Sequence, residues 1–302
     1  MIIREVGLRD GLQLVKRYPT TAQKTEWIEI EQGAGLRHFE VGSYLPVTTA
    51  PQFADVDYVV AAVKRHADSY AAVLTLNPKG FQHALAGDAD EIVTVISASE
   101  EHNRANIRRS RGQSLVELKE AVALRDASGR DAIVTVGIAM SFGCSISGDV
   151  PMQEVLSIAE QSLEAGADIL LIADTVGYGG PSDVTALVKQ LTPMLGHVPL
   201  GFHFHDTRGL GLANAAAALD AGVRILDASL AGLGGCPFAP NATGNIVLED
   251  VIFLAQKMGF DVPVDLTRLV QARAILEAAM PDEPLYGGIA RAGLPLTTAR
   301  AA

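Results

Sequence analysis

The chain predicts an α/β fold of the (β/α)8 barrel class with a helical extension at its C-terminal end, and three observations predict it. Short apolar segments of strand length alternate with longer helical stretches, about eight times over the 302 residues. Helices stop at glycine just before the next strand: Glu164-Ala165-Gly166-Ala167-Asp168 and Asp220-Ala221-Gly222-Val223 are turns of one kind. The polar residues of chemical interest fall just after strand candidates, on the rim where such barrels place their active sites. About 250 residues suffice for a barrel, which leaves the remainder for an extension. A doubly wound open sheet shares the alternation and is the runner-up.

The strand candidates are residues 2–6, 38–41, 71–75, 91–96, 133–140, 169–172, 200–205 and 225–229. The first helix, 21–33, has Thr20 or Thr21 as a candidate N-cap and Gly33 and Gly35 near its end. Helical stretches follow at 51–66, 114–128, 152–166, 182–195 and 210–222, with a last helical region from Leu248 onward. No linker rich in Pro, Ser or charge interrupts the chain. One catalytic domain is therefore expected over 1–302, with the barrel at about 1–260 and a helical cap and tail at about 261–302. The Gly- and Ala-rich part after Pro281 is expected to cover or fray rather than build the core.

The seventh strand candidate carries the strongest chemical signal, His203-Phe204-His205-Asp206. Side chains alternate along a strand, so His203 and His205 share a face and Phe204 packs on the other. Two imidazoles about 7 Å apart along a strand can share one divalent ion. Other rim positions join them. Arg9-Asp10-Gly11 follows the first strand; Glu40 ends the second, with Ser43 just beyond; Ser97 and Ser99 follow the fourth; Asp174-Thr175 follows the sixth. The eighth runs into Ala231-Gly232-Leu233-Gly234-Gly235-Cys236-Pro237 and then Thr243-Gly244-Asn245. Asp10, His203, His205 and Asn245 form the candidate metal set. Two nitrogens and two oxygens suit a borderline-to-hard cation, with Mg²⁺ or Mn²⁺ expected and Zn²⁺ or Co²⁺ as alternatives. Ser97 is a candidate for holding the ligand.

Composition removes several function classes. A net charge of −11 opposes binding to nucleic acid. No apolar run reaches the ~20 residues of a membrane span. A strand pattern begins at Met1-Ile2-Ile3 with no leader before it, so a cytoplasmic enzyme is expected. The two cysteines, Cys144 and Cys236, make no disulfide framework. Cys144 reads as a buried, inert residue. Cys236 lies among glycines that allow hinge motion, where a thiol can shuttle a proton or attack as a nucleophile. Gly177-Tyr178-Gly179-Gly180 and Gly232-Leu233-Gly234-Gly235 have neither P-loop nor dinucleotide spacing and read as turns or hinges.

Together these segments resemble the 3-hydroxy-3-methylglutaryl-CoA lyase family, within the metal-dependent lyase and condensing-enzyme barrels. The resemblance is carried by Glu5-Val6-Gly7-Leu8-Arg9-Asp10-Gly11-Leu12-Gln13, Phe39-Glu40-Val41, Ala173-Asp174-Thr175-Val176-Gly177, His203-Phe204-His205-Asp206-Thr207 and the stretch from Ala231 to Asn245. It implies a TIM barrel, often a homodimer, acting on a CoA thioester. It implies Asp10, His203, His205 and Asn245 as metal ligands, Arg9 as catalytic arginine and Cys236 as lid cysteine. Glu40 falls on an acidic residue that supports the site, Asp174 on a substrate-side carboxylate and Lys16 on a lysine near the ligand. The implied chemistry is a retro-Claisen cleavage giving acetyl-CoA and acetoacetate, with Asp10 or His203 as the base.

Departures from the family pattern cluster on rim loops. The family's Leu-Gln-Asn-Glu-Lys is Leu12-Gln13-Leu14-Val15-Lys16 here, and its Ser-Phe-Val-Ser-Pro-Lys-Trp is Ser43-Tyr44-Leu45-Pro46-Val47-Thr48-Thr49. Its Gly-Cys-Pro-Tyr-Glu-Gly is Gly143-Cys144-Ser145-Ile146-Ser147-Gly148, and the Tyr after His-Asp-Thr is Arg208. Several exchanges trade polar groups for apolar ones, so the reaction class is expected to hold while the acyl group carries a larger or less polar C3 branch. Rival readings are an acetyl-CoA-dependent condensing enzyme, a 4-hydroxy-2-oxo acid aldolase, and a non-catalytic metal-bound scaffold.

Overall fold

A computed structural model describes residues 1–235 and 244–296. Eight parallel strands close into a barrel in chain order: β1 Ile2–Glu5, β2 His38–Ser43, β3 Tyr70–Leu74, β4 Glu91–Ser97, β5 Ile133–Ala139, β6 Ile169–Asp174, β7 Leu200–Phe204 and β8 Ile225–Ala228. Closure is direct, with Ile2 paired to Ile225 and Glu5 to Ala228, so the chain is a TIM barrel and the open-sheet alternative falls. All eight strand candidates exist, displaced by a residue or two at their ends.

The helices are α1 Thr21–Ala34, α2 Val56–Lys64, α3 Pro78–Ala86, α4 Glu100–Ile107, α5 Arg111–Ser128, α6 Met152–Glu164, α7 Pro181–Leu195, α8 Gly211–Asp220 and α9 Leu248–Lys257. Beyond them lie α10 Leu266–Leu269, α11 Arg273–Ala279 and α12 Gly288–Ala292. Thr20 is the N-cap of α1 through a reciprocal bond with Gln23, and Gly35 ends that helix at φ 108°. The stretch expected as one helix at 51–66 is a 3₁₀ turn, Pro51–Phe53, followed by α2. The sequence reading omitted α3 and α4.

The core lies between the strands' outer faces and the helices. Trp27, Ile28, Phe39, Phe202 and Phe204 are fully buried there, each contributing roughly 1.5–3 kcal/mol by leaving water. Inside the barrel the packing is partly ionic. Arg4 Nε donates to Asp227 at 2.8 Å and Nη1 to Glu91, whose carboxylate also accepts from Thr135 at 2.5 Å. Arg4 is 3 % exposed and Asp227 1 %, so each ion depends on its partners to offset desolvation.

The C-terminal segment is pinned to the barrel as far as Ile289, and Leu296 near its described end is 88 % exposed. Tyr286 N–H donates to Ala231 O at 2.8 Å, and the N–H groups of Gly288 and Ile289 donate to Asp250 at 2.6 and 2.8 Å. Among the described residues no helix is long and apolar enough to cross a membrane.

Candidate active site

The rim after β1 is a π-helical turn, Gly7–Gly11, rather than an open loop. The N–H groups of Arg9, Asp10 and Gly11 all converge on Val6 O, at 3.1, 2.7 and 3.2 Å. Such turns put consecutive side chains where an α-helix would not, and they recur at functional sites. Glu5 holds the turn from below, accepting from Gly7 N–H and, at 2.9 Å, from Leu230 N–H. Burial pushes the Glu5 carboxyl up to about 8.

Arg9 then bridges two carboxylates, Asp10 at 2.6 Å and Glu40 at 2.7 Å. Glu40 does not end β2 as expected. It lies inside the strand, before a register shift between Glu40 and Ser43. Asp10 Oδ2 accepts from Asn245 Nδ2 at 2.8 Å and lies 3.6 Å from His205 Nε2. The two Nε2 atoms of His203 and His205 are 3.0 Å apart, and His203 Nδ1 is 3.1 Å from Asp227. Arg9, Asp10, Glu40, His203, His205 and Asn245 thus form one connected group, reaching down through Asp227 to Arg4.

Charges in this group are shifted by known causes. Burial alone would raise the Asp10 carboxyl, but the Arg9 charge and the His205 hydrogen bond hold it well below the usual range. Burial would lower His203; its bond to Asp227 and the Asp10 charge reverse that and raise it. Glu40 is raised, because burial there outweighs Arg9.

The donor set fits a divalent cation. One ligand atom each from Asp10, His203 and His205 lie within 4.8 Å of one another. Asn245 Oδ1 and His205 Nδ1 are buried without a hydrogen-bond partner. The bond from His203 Nδ1 to Asp227 turns its Nε2 toward His205 Nε2 and Asp10, where a cation would sit, the arrangement by which carboxylates orient metal-binding imidazoles. Asn245 is held by the chain around it. Gly234 has φ 144°, and a Cβ there would lie 2.5 Å from Asn245 Nδ2, so only glycine serves.

The other candidates divide. Thr175 and Gly235 line the central cavity of about 120 Å³ together with Arg9, Asp10, His203 and His205. Asp174 sits at the end of β6, but its carboxylate accepts from Tyr178 and Gly179 N–H at 2.9 and 3.0 Å and shapes the following turn. Ser97 Oγ accepts from Ser99 N–H at 3.2 Å, and Ser99 caps α4. Lys16 is exposed on the loop before α1. Cys236 lies outside the described residues. Cys144 is buried, its Sγ accepting from Ile146 and Ser147 N–H at 3.3 and 3.5 Å, in keeping with a structural role.

Sequence reasoning missed Asp227 and Arg4. A charge inside an otherwise apolar strand, as in Ile225-Leu226-Asp227-Ala228, was the available signal, because buried charges require partners. We expect Asp227→Asn to lower divalent-metal affinity about 10–100-fold, as titration calorimetry with Mn²⁺ will read. An unchanged affinity would remove Asp227 from the site.

Fold and site together define a TIM-barrel enzyme with a candidate divalent-metal centre at the C-terminal rim. Comparison with known proteins narrows the class. The HMGL-like family model matches residues 1–276. The chain is 34 % identical over 278 residues to hydroxymethylglutaryl-CoA lyase YngG of Bacillus subtilis, covering 92 % of each. It is 35 % identical over 304 residues to (R)-citramalyl-CoA lyase of Chloroflexus aurantiacus, covering 96 % of this chain and 94 % of that one. An HMG-CoA lyase structure from Acenitobacter baumannii, in complex with coenzyme A and 3-methylmalate, superposes with a TM-score of 0.90 at 35 % identity, covering 98 % and 96 %. The chain belongs to the HMGL-like family and is an oxo-acid lyase. Lyases of this family are metal-dependent.

Proposed function

We propose that the protein cleaves 3-hydroxy-3-methylglutaryl-CoA, or a related branched 3-hydroxyacyl-CoA, to acetyl-CoA and a 3-oxo acid such as acetoacetate. The observation that carries this reading is the connected group of Arg9, Asp10, Glu40, His203, His205 and Asn245 on one rim of the barrel. Asp10, His203, His205 and Asn245 are the residues to hold Mg²⁺ or Mn²⁺. A cation there supplies Lewis acidity that lowers the pKa of a substrate hydroxyl.

The chain's own residues do the rest. Asp10 is the candidate base for the proton of the C3 hydroxyl, since His203, with Nδ1 on Asp227 and Nε2 toward the cation, has no lone pair to spare. The C2–C3 bond breaks, C3 becomes the carbonyl of the 3-oxo acid, and the electron pair passes into the thioester as an enolate. Arg9, fixed by Asp10 and Glu40, stabilises the enolate oxygen. Cys236, next in sequence to the cavity-lining Gly235, is the candidate donor of the proton that C2 receives.

Acetyl-CoA release tests the reading. We expect turnover of hydroxymethylglutaryl-CoA with Mg²⁺ or Mn²⁺, loss of all but background turnover after EDTA, and recovery when metal is restored. Citramalyl-CoA belongs in the same assay, since a relative of equal identity is named for it. Release of free CoA on mixing acetyl-CoA with 2-oxo acids, without C2–C3 cleavage of hydroxymethylglutaryl-CoA, would indicate the condensing enzyme instead.

A further inference from the structure

The cavity above the metal-site residues has two unlike halves. One is ionic, built from Arg9 and Asp10 after β1, His203 of β7 and His205 just beyond it. The facing wall is aliphatic: Leu74 of β3, Val93 and Val95 of β4, and Ala139 of β5. Leu74 and Val93 belong to a small apolar cluster of their own, with Val95 packed against it. Two polar side chains border it, both from α4: Asn106, an uncharged amide, and His102, whose pKa is pushed down to about 4 by burial and which is neutral at physiological pH.

Gly137 lies in the middle of this wall, paired with Val95 across β4 and β5. The fold does not demand glycine there. Its φ is not in the left-handed range. A Cβ would meet Val95 at 3.5 Å and Thr94 O at 3.6 Å, which is ordinary contact. Gly201 of β7 differs, because a Cβ there would sit 2.9 Å from Leu171 and 3.0 Å from Ile225. At Gly201 glycine permits packing; at Gly137 it leaves space inside the cavity. Glycine in a buried strand forfeits side-chain packing and chain entropy, so the vacant volume calls for an occupant.

We infer that this wall receives an uncharged aliphatic branch on the carbinol carbon, longer than methyl, and that Gly137 sets the length admitted. The inference rests on the proposed carbon–carbon cleavage of an acyl-CoA and specifies the class of acyl group it serves. With the hydroxyl and carboxylate held on the ionic side, the branch points to the opposite wall. A methyl group would leave most of that wall without contacts.

The test is a series of 3-alkyl-3-hydroxyglutaryl-CoA thioesters with methyl, ethyl, propyl and butyl branches, assayed with wild type, Gly137→Ala and Gly137→Val. A methylene that finds its pocket is worth about tenfold or more in kcat/KM. We expect kcat/KM to rise at least about tenfold from methyl to propyl in wild type. Gly137→Val should cut the propyl-to-methyl ratio by at least about tenfold, with Gly137→Ala between. The ratio is insensitive to a general loss of folded enzyme, which scales all substrates alike. Best turnover of the methyl substrate, or a ratio unmoved by both variants, overturns the inference and leaves the carbon–carbon lyase reading standing. Metal-loaded, folded protein that cleaves no member of the series overturns both.

Discussion

Replacing Arg9 with methionine is expected to lower kcat for C2–C3 cleavage of the acyl-CoA by about 10²–10³, the loss typical of removing one oxyanion donor. Its guanidinium bridges Asp10 at 2.6 Å and Glu40 at 2.7 Å with only 11 % of the side chain exposed, so it is presented in a single pose. Arg9→Lys keeps the charge but not the fork, and one ammonium cannot serve both carboxylates in the same geometry. It should fall between wild type and Arg9→Met. Removing the cation also strands Glu40, already raised by burial, so thermal unfolding of each variant must accompany the kinetics. Arg9→Met within tenfold of wild type, on folded and metal-loaded protein, would take the enolate away from Arg9.

Cys236→Ala is expected to lower kcat by about 10²–10⁴, the span of general acid–base contributions. Acetyl-CoA needs a proton at C2, and solvent must supply it when the thiol is gone. The solvent isotope effect on kcat should therefore grow in Cys236→Ala, because protonation of carbon becomes the slow step. Bound substrate should also protect the wild-type thiol from alkylation. Full activity in the alanine variant would make Cys236 a bystander and direct attention to other groups at the mouth.

Much of the fold was legible because its strands are buried on both faces and read as near-continuous apolar runs. Segments such as Ile169-Leu170-Leu171-Ile172 have no polar face to blur them. Helix α3 was lost because Pro78-Lys79-Gly80 interrupts any apolar period, although Asn77-Pro78 marked its start, as the Asn77 cap on Gly80 N–H shows. Within the site, the spacing of His203 and His205 made a shared face visible. Spacing does not tell which way a rim side chain turns. Ser97 and Asp174 occupy the rim positions expected of them, yet both spend their oxygens on nearby backbone N–H groups. The support beneath His203 stayed hidden because its parts lie far apart in sequence. Arg4 and Asp227 are 223 residues apart, and neither stands out until the barrel closes.

That closure has a consequence for how the chain reaches its native state. The first strand brings a cation into the barrel interior, and the last strand brings one of its two counter-ions. A chain emerging from the ribosome with β1 to β7 assembled would hold Arg4 against Glu91 alone, lacking half the compensation for a desolvated guanidinium. Native contacts of such long sequence separation form late, because loop-closure entropy must be overcome before they contribute. The terminal strand therefore acts as a completion signal. Arrival of Asp227 gives the buried guanidinium its second counter-ion, seals β8 against β1 and orients His203 in the same event. Nascent chains short of β8 lack the carboxylate that orients this imidazole, so metal competence is expected only once β8 has joined the barrel.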